Sequence, residues 1–258
     1  MGLRQRLYAA EHFHDDQVCD NHFRVGPAVS STGWGVGPEY VHPEAARGAY
    51  VWDPPVKQRE DIDRIQTPKS THDSEATARA LAFHQDLFGD ILEVYVHGTF
   101  WWGLGLIDEW TFLRGIQQTY LDMTDDPELV HAGMRRLMEG RLAWLRELET
   151  LGVLSLNNGN SYVGSGGFGF SDQLPADDFS GSVRLKDLWG FCEAQTMSEV
   201  SPAMHEEFVL EYQLPILELF GLNCYGCCEP LHRKLDLLLR RVPRLRRVSI
   251  SPWADKRV

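Results

Sequence analysis

Residues 220–232 read Phe220-Gly221-Leu222-Asn223-Cys224-Tyr225-Gly226-Cys227-Cys228-Glu229-Pro230-Leu231-His232. A helix opened by Ser201-Pro202 runs up to this stretch and ends in the apolar Leu219 and Phe220. Residues 222–227 then read as a short buried strand running into a polar mouth, and 231–241 as the following helix. The same alternation extends outward. Residues 91–96 are a strand by their β-branched and apolar content, ending at His97-Gly98. A helical stretch follows at 107–122. Asp126-Pro127 supply an N-cap and a first-turn proline for a helix to about residue 151, which Gly152 stops. Further strands are expected at 153–156, within 185–195, and at 247–251.

Strands alternating with helices imply a parallel sheet with right-handed crossovers. The expected fold class is α/β, a (β/α)8 TIM barrel. It is favoured over an open doubly wound sheet, which would also collect ligands at the same strand ends. Five or six strands are recognisable where a closed barrel has eight. The barrel is therefore expected to be incomplete, as part of a longer protein, or to hold two or three unrecognised strands. Residues 1–70 read as an irregular N-terminal excursion of the same domain, with a strand within 18–30 and a Gly-rich turn at Gly33, Gly35 and Gly37. Residues 71–258 read as the barrel segment.

The formal net charge of −12 argues against non-specific binding to nucleic acid or anionic membranes. No run of about 18 apolar residues occurs, so no membrane span is expected. The start lacks an apolar core with a cleavage site, so no signal peptide is expected. The five cysteines are odd in number, and three crowd into residues 224–228, which points to a reducing, cytoplasmic compartment rather than a disulfide framework.

Polar residues fall at successive expected strand ends: His97, Asn157 and Asn158, Glu193 and Gln195, Cys227 and Cys228, and Ser251. Thiolate, imidazole and carboxylate are ligands of zinc, and Cys224-x-x-Cys227 has a spacing seen in zinc sites. Strand alternation points Cys224 and Cys227 apart unless the strand ends between them. The expected ligands are Cys227 and Cys228, with Glu193 and His232; packing of the cysteines as small apolar groups is the alternative. Glu193 is also a candidate general acid or base, since burial beside sulfur raises its pKa. His97 and Tyr225 are further catalytic candidates, against a packed tyrosine with a bonded hydroxyl. Asn157, Asn158, Gln195, Asp172 and Trp101 are candidates for binding a small-molecule substrate. Phe100, Trp101, Trp102 and Trp110 could wall a pocket or fill the core. Gly164-Ser165-Gly166-Gly167-Phe168-Gly169 matches G-x-G-x-x-G, but loop precedes it and no helix follows, so a lid fits better than a dinucleotide site. His12, His14 and His22 with Asp15 and Asp16 read as a solvated polar segment rather than a metal site.

Four segments resemble the uroporphyrinogen decarboxylase superfamily: residues 125–131 (DDPELVH), 201–208 (SPAMHEEF), 221–232 (GLNCYGCCEPLH) and 250–255 (ISPWAD). The resemblance spans roughly residues 60–258 and implies a (β/α)8 barrel. It implies one of two chemistries. One is zinc-dependent methyl transfer between a thiol or methyl donor and a corrinoid carried on a partner protein. The other is cofactor-free decarboxylation of uroporphyrinogen or a related acid. The Cys227 strand end looks like the place where the methyltransferases carry a His-x-Cys pair, although Tyr225 stands here where that pair has histidine. The Arg-rich N-terminal signature of the decarboxylases is absent, with Arg24, Arg59 and Arg184 the only arginines suitably placed. The expected function is methyltransferase-like. An inactive fragment or binding module is the reading from another class.

Overall fold

The structure is a computed structural model and describes residues 2–13, 18–41, 51–165, 167–255 and 257. It is a mixed α/β fold in which short strands pack against helices. Helix α1 (Gly2–His12) buries none of its side chains. The strand expected within 18–30 is two strands, β1 (His22–Val25) and β2 (Val29–Ser31), parted by Gly26-Pro27. Proline has no amide hydrogen to offer a ladder, so one pairing stops there and another begins. β3 (Glu39–Val41) pairs antiparallel with β4 (Val51–Asp53), and β2 with β5 (Ser70–His72).

β1 pairs in parallel with β6 (Glu93–Val96), from His22 opposite Glu93 to Val25 opposite Val96. The first seventy residues are thus not only an excursion; they supply a strand of the parallel array. Helix α2 (Ser74–Phe88) lies on this pair, capped by the Asp73 carboxylate, which accepts from the Ala76 N–H at 2.8 Å.

The helical stretch after β6 is two helices, α3 (Ile107–Arg114) and α4 (Ile116–Asp125). Gly115 breaks it with φ +94°, a backbone state that side-chain-bearing residues rarely take. Helix α5 (Pro127–Thr150) follows with Pro127 in its first turn, its N-cap Asp126 accepting from the Leu129 N–H at 3.2 Å. Val130, Met134, Leu137, Leu145 and Leu148 form its buried stripe. A Cβ at Gly133 would lie 2.0 Å from the Trp110 indole, so glycine lets that fully buried ring press onto α5.

β7 (Trp189–Cys192), β8 (Leu222–Tyr225) and β9 (Leu245–Val248) form a parallel three-stranded sheet in that order. A continuous helical rod joins β7 to β8: α6 (Pro202–His205), a π-helical segment (Glu206–Leu210) and α7 (Glu211–Leu217). A 3₁₀ turn (Leu231–Arg233) and α8 (Leu235–Arg241) join β8 to β9.

Residues 153–156, expected as a strand, join no ladder. Side chains replace the backbone there. The Asn157 amide donates to the Trp189 carbonyl at 3.1 Å and accepts from the Trp189 N–H at 2.9 Å. The Gly98 N–H donates to Ser155 Oγ at 2.9 Å. This segment therefore ties β6 to β7 without pairing with either. The (β/α)8 barrel, expected from the sequence as incomplete or with strands unrecognised, is not closed among the described residues; the strands make separate two- and three-stranded sheets.

Candidate functional site

β7 and β8 end side by side, and their polar followers meet there. Glu193 comes directly after β7 and is only 5% exposed. Its Oε2 accepts from the Gln195 N–H at 2.6 Å. Burial pushes its pKa up to about 7, and the neighbouring acids Asp108, Glu229 and Glu109 add to the rise. The group sits near half-protonation at neutral pH, the poise of an acid–base catalyst.

After β8, Gly226 turns the chain with φ +94°. The next N–H, that of Cys227, donates to Glu229 Oε2 at 2.8 Å, while Glu229 Oε1 accepts from the Ala194 N–H at 3.0 Å. One buried carboxylate thus staples the cysteine loop to the end of β7. Cys227 is half-buried and Cys228 exposed, with their Sγ atoms 3.6 Å apart. Burial pushes the Cys227 thiol up; Cys228 and Glu193 raise it further against a lowering bond from Ser165. Cys227 therefore stays a thiol at neutral pH unless a cation draws off its proton.

The two ends of the Cys-x-x-Cys pattern have different surroundings. Cys224 is buried, its thiol bonded to Arg247 and Ser249 and set against Gly164 and Phe191. The close pair is Cys227 with Cys228. His232 stands in the turn after the loop, beside Asp255, with its Nδ1 buried and unbonded. Among the described residues no three His, Cys, Asp or Glu side chains form a group able to hold a metal ion. The four-ligand set expected from the sequence is thus not preassembled; its two adjacent thiols are together.

Tyr225 lies in the interior. It is fully buried, and alternation along β8 turns it toward the helical rod. Its hydroxyl donates to Gln213 Oε1 at 2.6 Å and accepts from His205 Nε2 at 2.9 Å. Gln213 Nε2 in turn donates to the carbonyls of Gly105 at 2.7 Å and Glu193 at 2.8 Å. This chain of bonds locks the end of β7 to the rod. The expectation of a proton donor at Tyr225 gives way to a structural role.

A second centre lies around His97. A cavity of about 310 Å³ is lined by His97, Arg24, Trp101, Trp102, Tyr162 and Phe191, among others. Burial, with help from the Arg24 charge, pulls the His97 pKa down to about 4, so the imidazole is neutral at pH 7. Trp101 wedges edge-on between Trp144 and Phe220, while Trp110 is core. Asn157 reaches the cavity, but its amide is committed to Trp189. Asn158 donates to the Leu174 carbonyl at 2.6 Å, which gives it a structural task as well. Gln195 and Asp172 are exposed, Gln195 at the rim beside Glu193 and Asp172 on the outer part of the loop.

The glycine-rich loop lies between the two centres. Tyr162 and Phe168 form an antiparallel bridge, with Gly166 outside the described residues. Arg247 donates to the Phe168 carbonyl at 2.9 Å and the Val163 carbonyl at 3.3 Å, with its guanidinium 4.7 Å from the Trp189 ring centre. Ser249 Oγ donates to the Ser165 carbonyl at 2.7 Å. The loop is pinned over the inner face of β7–β9. Of the N-terminal polar cluster, His14, Asp15 and Asp16 lie outside the described residues; His22 faces Asp20 at 3.6 Å and Glu93 at 3.3 Å.

Sequence reasoning passed over Glu229, Asp108, His205 and Gln213. The signal for the last two was available. They stand eight residues apart on a helix whose Phe208, Val209, Tyr212 and Ile216 are buried, so two polar groups share an otherwise apolar face.

Comparison with protein-family models, curated proteins and solved structures finds no match to this chain. Among the described residues no helix is long and apolar enough to cross a membrane.

Proposed function

We propose that this chain is an enzyme of the uroporphyrinogen decarboxylase type, built on the (β/α)8 barrel plan. It activates a thiol or methyl-carrying small molecule at Cys227 and Cys228, with a corrinoid-bearing protein as partner in methyl transfer. The observation that carries this reading is the Cys227–Cys228 pair, 3.6 Å between sulfurs, at the end of β8 near the buried Glu193. The succession β1, β6, residues 153–156, β7, β8, β9 supports the barrel plan, since it brings successive β-segments together in chain order.

The thiol pair suits zinc on geometric grounds. Two sulfurs on a tetrahedral zinc at about 2.3 Å each stand about 3.7 Å apart. Cys227 and Cys228 would hold the ion, with Glu193 as the oxygen donor on the neighbouring strand end. Bound zinc supplies a positive charge that lowers the pKa of sulfur beside it. Glu193 sits near half-protonation at pH 7 without the ion, so its engagement as a ligand would release a proton along with those of the thiols. The free thiols go with a reducing compartment such as the cytoplasm.

Cobalt(II) titration of the purified protein tests this through the sulfur-to-metal absorption band. One ion per chain is expected, with at least tenfold weaker binding in Cys227→Ser and in Cys228→Ser. Absence of the band in the wild-type protein would refute the metal reading. A second reading is cofactor-free decarboxylation, favoured by Arg24 and neutral His97 in one cavity. It predicts carbon dioxide release that survives chelators and Cys227→Ser.

A further inference from the structure

The cavity around His97 has a chemical character of its own. The chain carries a formal net charge of −12. Yet among the described residues lining this cavity, Arg24 is the one charged group. Among the described residues its guanidinium donates only to neutral acceptors, Tyr95 Oη at 3.3 Å and the Asn160 carbonyl at 2.8 Å. No carboxylate among the described residues pairs with it, whereas Arg6, Arg114, Arg141 and Arg184 each have one. The two bonds fix the side chain and leave the rest of the fork unoccupied. Next to it stands the neutral His97 imidazole.

Much of the remaining wall is aromatic. Trp102 meets Phe191 edge-on with ring centres 4.9 Å apart, and Tyr162 lies on the same cavity. The other polar side chains on the lining are neutral: the Asn157 amide is bonded at both ends to Trp189, Ser155 Oγ accepts from the Gly98 N–H, and Thr99 and Ser161 carry hydroxyls. What the cavity offers a ligand is a ring slot with one planar cation at its edge. A guanidinium fork matches a carboxylate in two parallel bonds. Aromatic walls favour a flat ring stacked or edge-on. A volume of about 310 Å³ is at the small end for ligand pockets, which suits a single-ring molecule.

The geometry points to a binding site for a small aromatic monocarboxylate, its ring against the Trp102–Phe191 pair and Tyr162 and its carboxylate on Arg24. A phosphate is the poorer match, because no second cation lines the site among the described residues. This assignment goes beyond the thiol reading and stands without it.

Titration of the full chain with benzoate, read by tryptophan fluorescence and calorimetry, is the test. Benzamide keeps the ring without the charge, and cyclohexanecarboxylate keeps the charge without the flat ring. Benzoate should saturate at least tenfold more tightly than either. Arg24→Gln should weaken benzoate at least tenfold and leave benzamide unchanged, while Trp102→Ala should weaken both. Both side chains are exposed at the surface, and melting temperatures unchanged from the wild type confirm intact folds. Should Arg24→Gln not fold, Arg24→Lys serves: it keeps the charge, loses the fork and should still weaken benzoate. Cys227→Ser should bind benzoate as the wild type does, which separates failure here from failure of the thiol reading. No saturable benzoate binding, equal affinity for benzoate and benzamide, or tighter binding of phenyl phosphate would overturn the assignment.

Discussion

Tyr225→Phe removes one oxygen from the interior and leaves two partners stranded. The Tyr225 hydroxyl donates to Gln213, so it must accept from His205, which fixes the histidine proton on Nε2. His205 Nδ1 already has no partner, and burial drops the His205 pKa to about 3. Without the hydroxyl, the His205 N–H and Gln213 Oε1 both lose their bonds at positions with no exposure. Leaving a buried polar group unsatisfied costs about 1–3 kcal/mol. Two such groups, less the hydroxyl's own desolvation, give a loss of roughly 2–4 kcal/mol. At about 2–4 °C per kcal/mol for a domain of this size, the melting temperature should fall by roughly 4–16 °C. Urea denaturation gives the free energy and a thermal melt the shift. The double variant Tyr225→Phe/His205→Leu should lose less than the sum of the singles, because it deletes a donor along with its acceptor. A single-variant loss below about 0.5 kcal/mol, the level of an unimportant surface change, would refute the buried relay.

Gly226→Ala should destabilise the protein, since its φ is +94° and the new methyl would lie 2.3 Å from Leu231 Cδ1; an unchanged urea midpoint would contradict the turn described. Arg247→Met should free the loop it pins, so amide exchange across residues 159–170 should accelerate at least tenfold by mass spectrometry, while unchanged exchange would mean that the clamp is idle. Glu193 and His205 should impose opposite pH dependences. His205 has a folded value of about 3 against an ordinary 6.5, so its contribution is complete above pH 6.5 and is lost as pH falls toward 3. Glu193 has a folded value of about 7 against an ordinary 4.5, so its contribution is present below pH 4.5 and is lost as pH rises through 7. Glu193→Gln should therefore gain stability over the wild type as pH rises from 5 to 8, and a constant difference would argue against a buried, protonated acid.

The helices were legible where capping and period agreed. Asp126-Pro127 and the stripe from Leu129 to Leu145 locate α5, and Ser201-Pro202 locates the rod before β8. The single helix read at 107–122 failed at Gly115, where the chain takes a left-handed turn that a periodic pattern does not register. Residues 153–156 have strand composition, but whether a strand joins a ladder depends on neighbours far along the chain. Here the Asn157 amide and Ser155 hydroxyl made the bonds instead. The cysteine rim was legible as a cluster of sulfur; which sulfurs meet was not, because that depends on where β8 ends and Gly226 turns. Tyr225 shows the same limit. Its position two residues before Cys227 would put both on one face of a continuing strand, but β8 ends at Tyr225 and Gly226 turns the chain, so the tyrosine stays inside with His205 and Gln213.

Glu229 gives the thiol rim an unusual kind of foundation. A single acid group ties the peptide of Cys227 to the end of the adjoining strand, while the sulfur atoms add only one bond, from Cys227 to Ser165. Chemistry at positions 227 and 228 can therefore be exchanged with little disturbance to the scaffold, so long as the acid at 229 is kept. The loop behaves as an interchangeable tool head on a fixed mount, and a change at the mount should cripple every tool fitted to it.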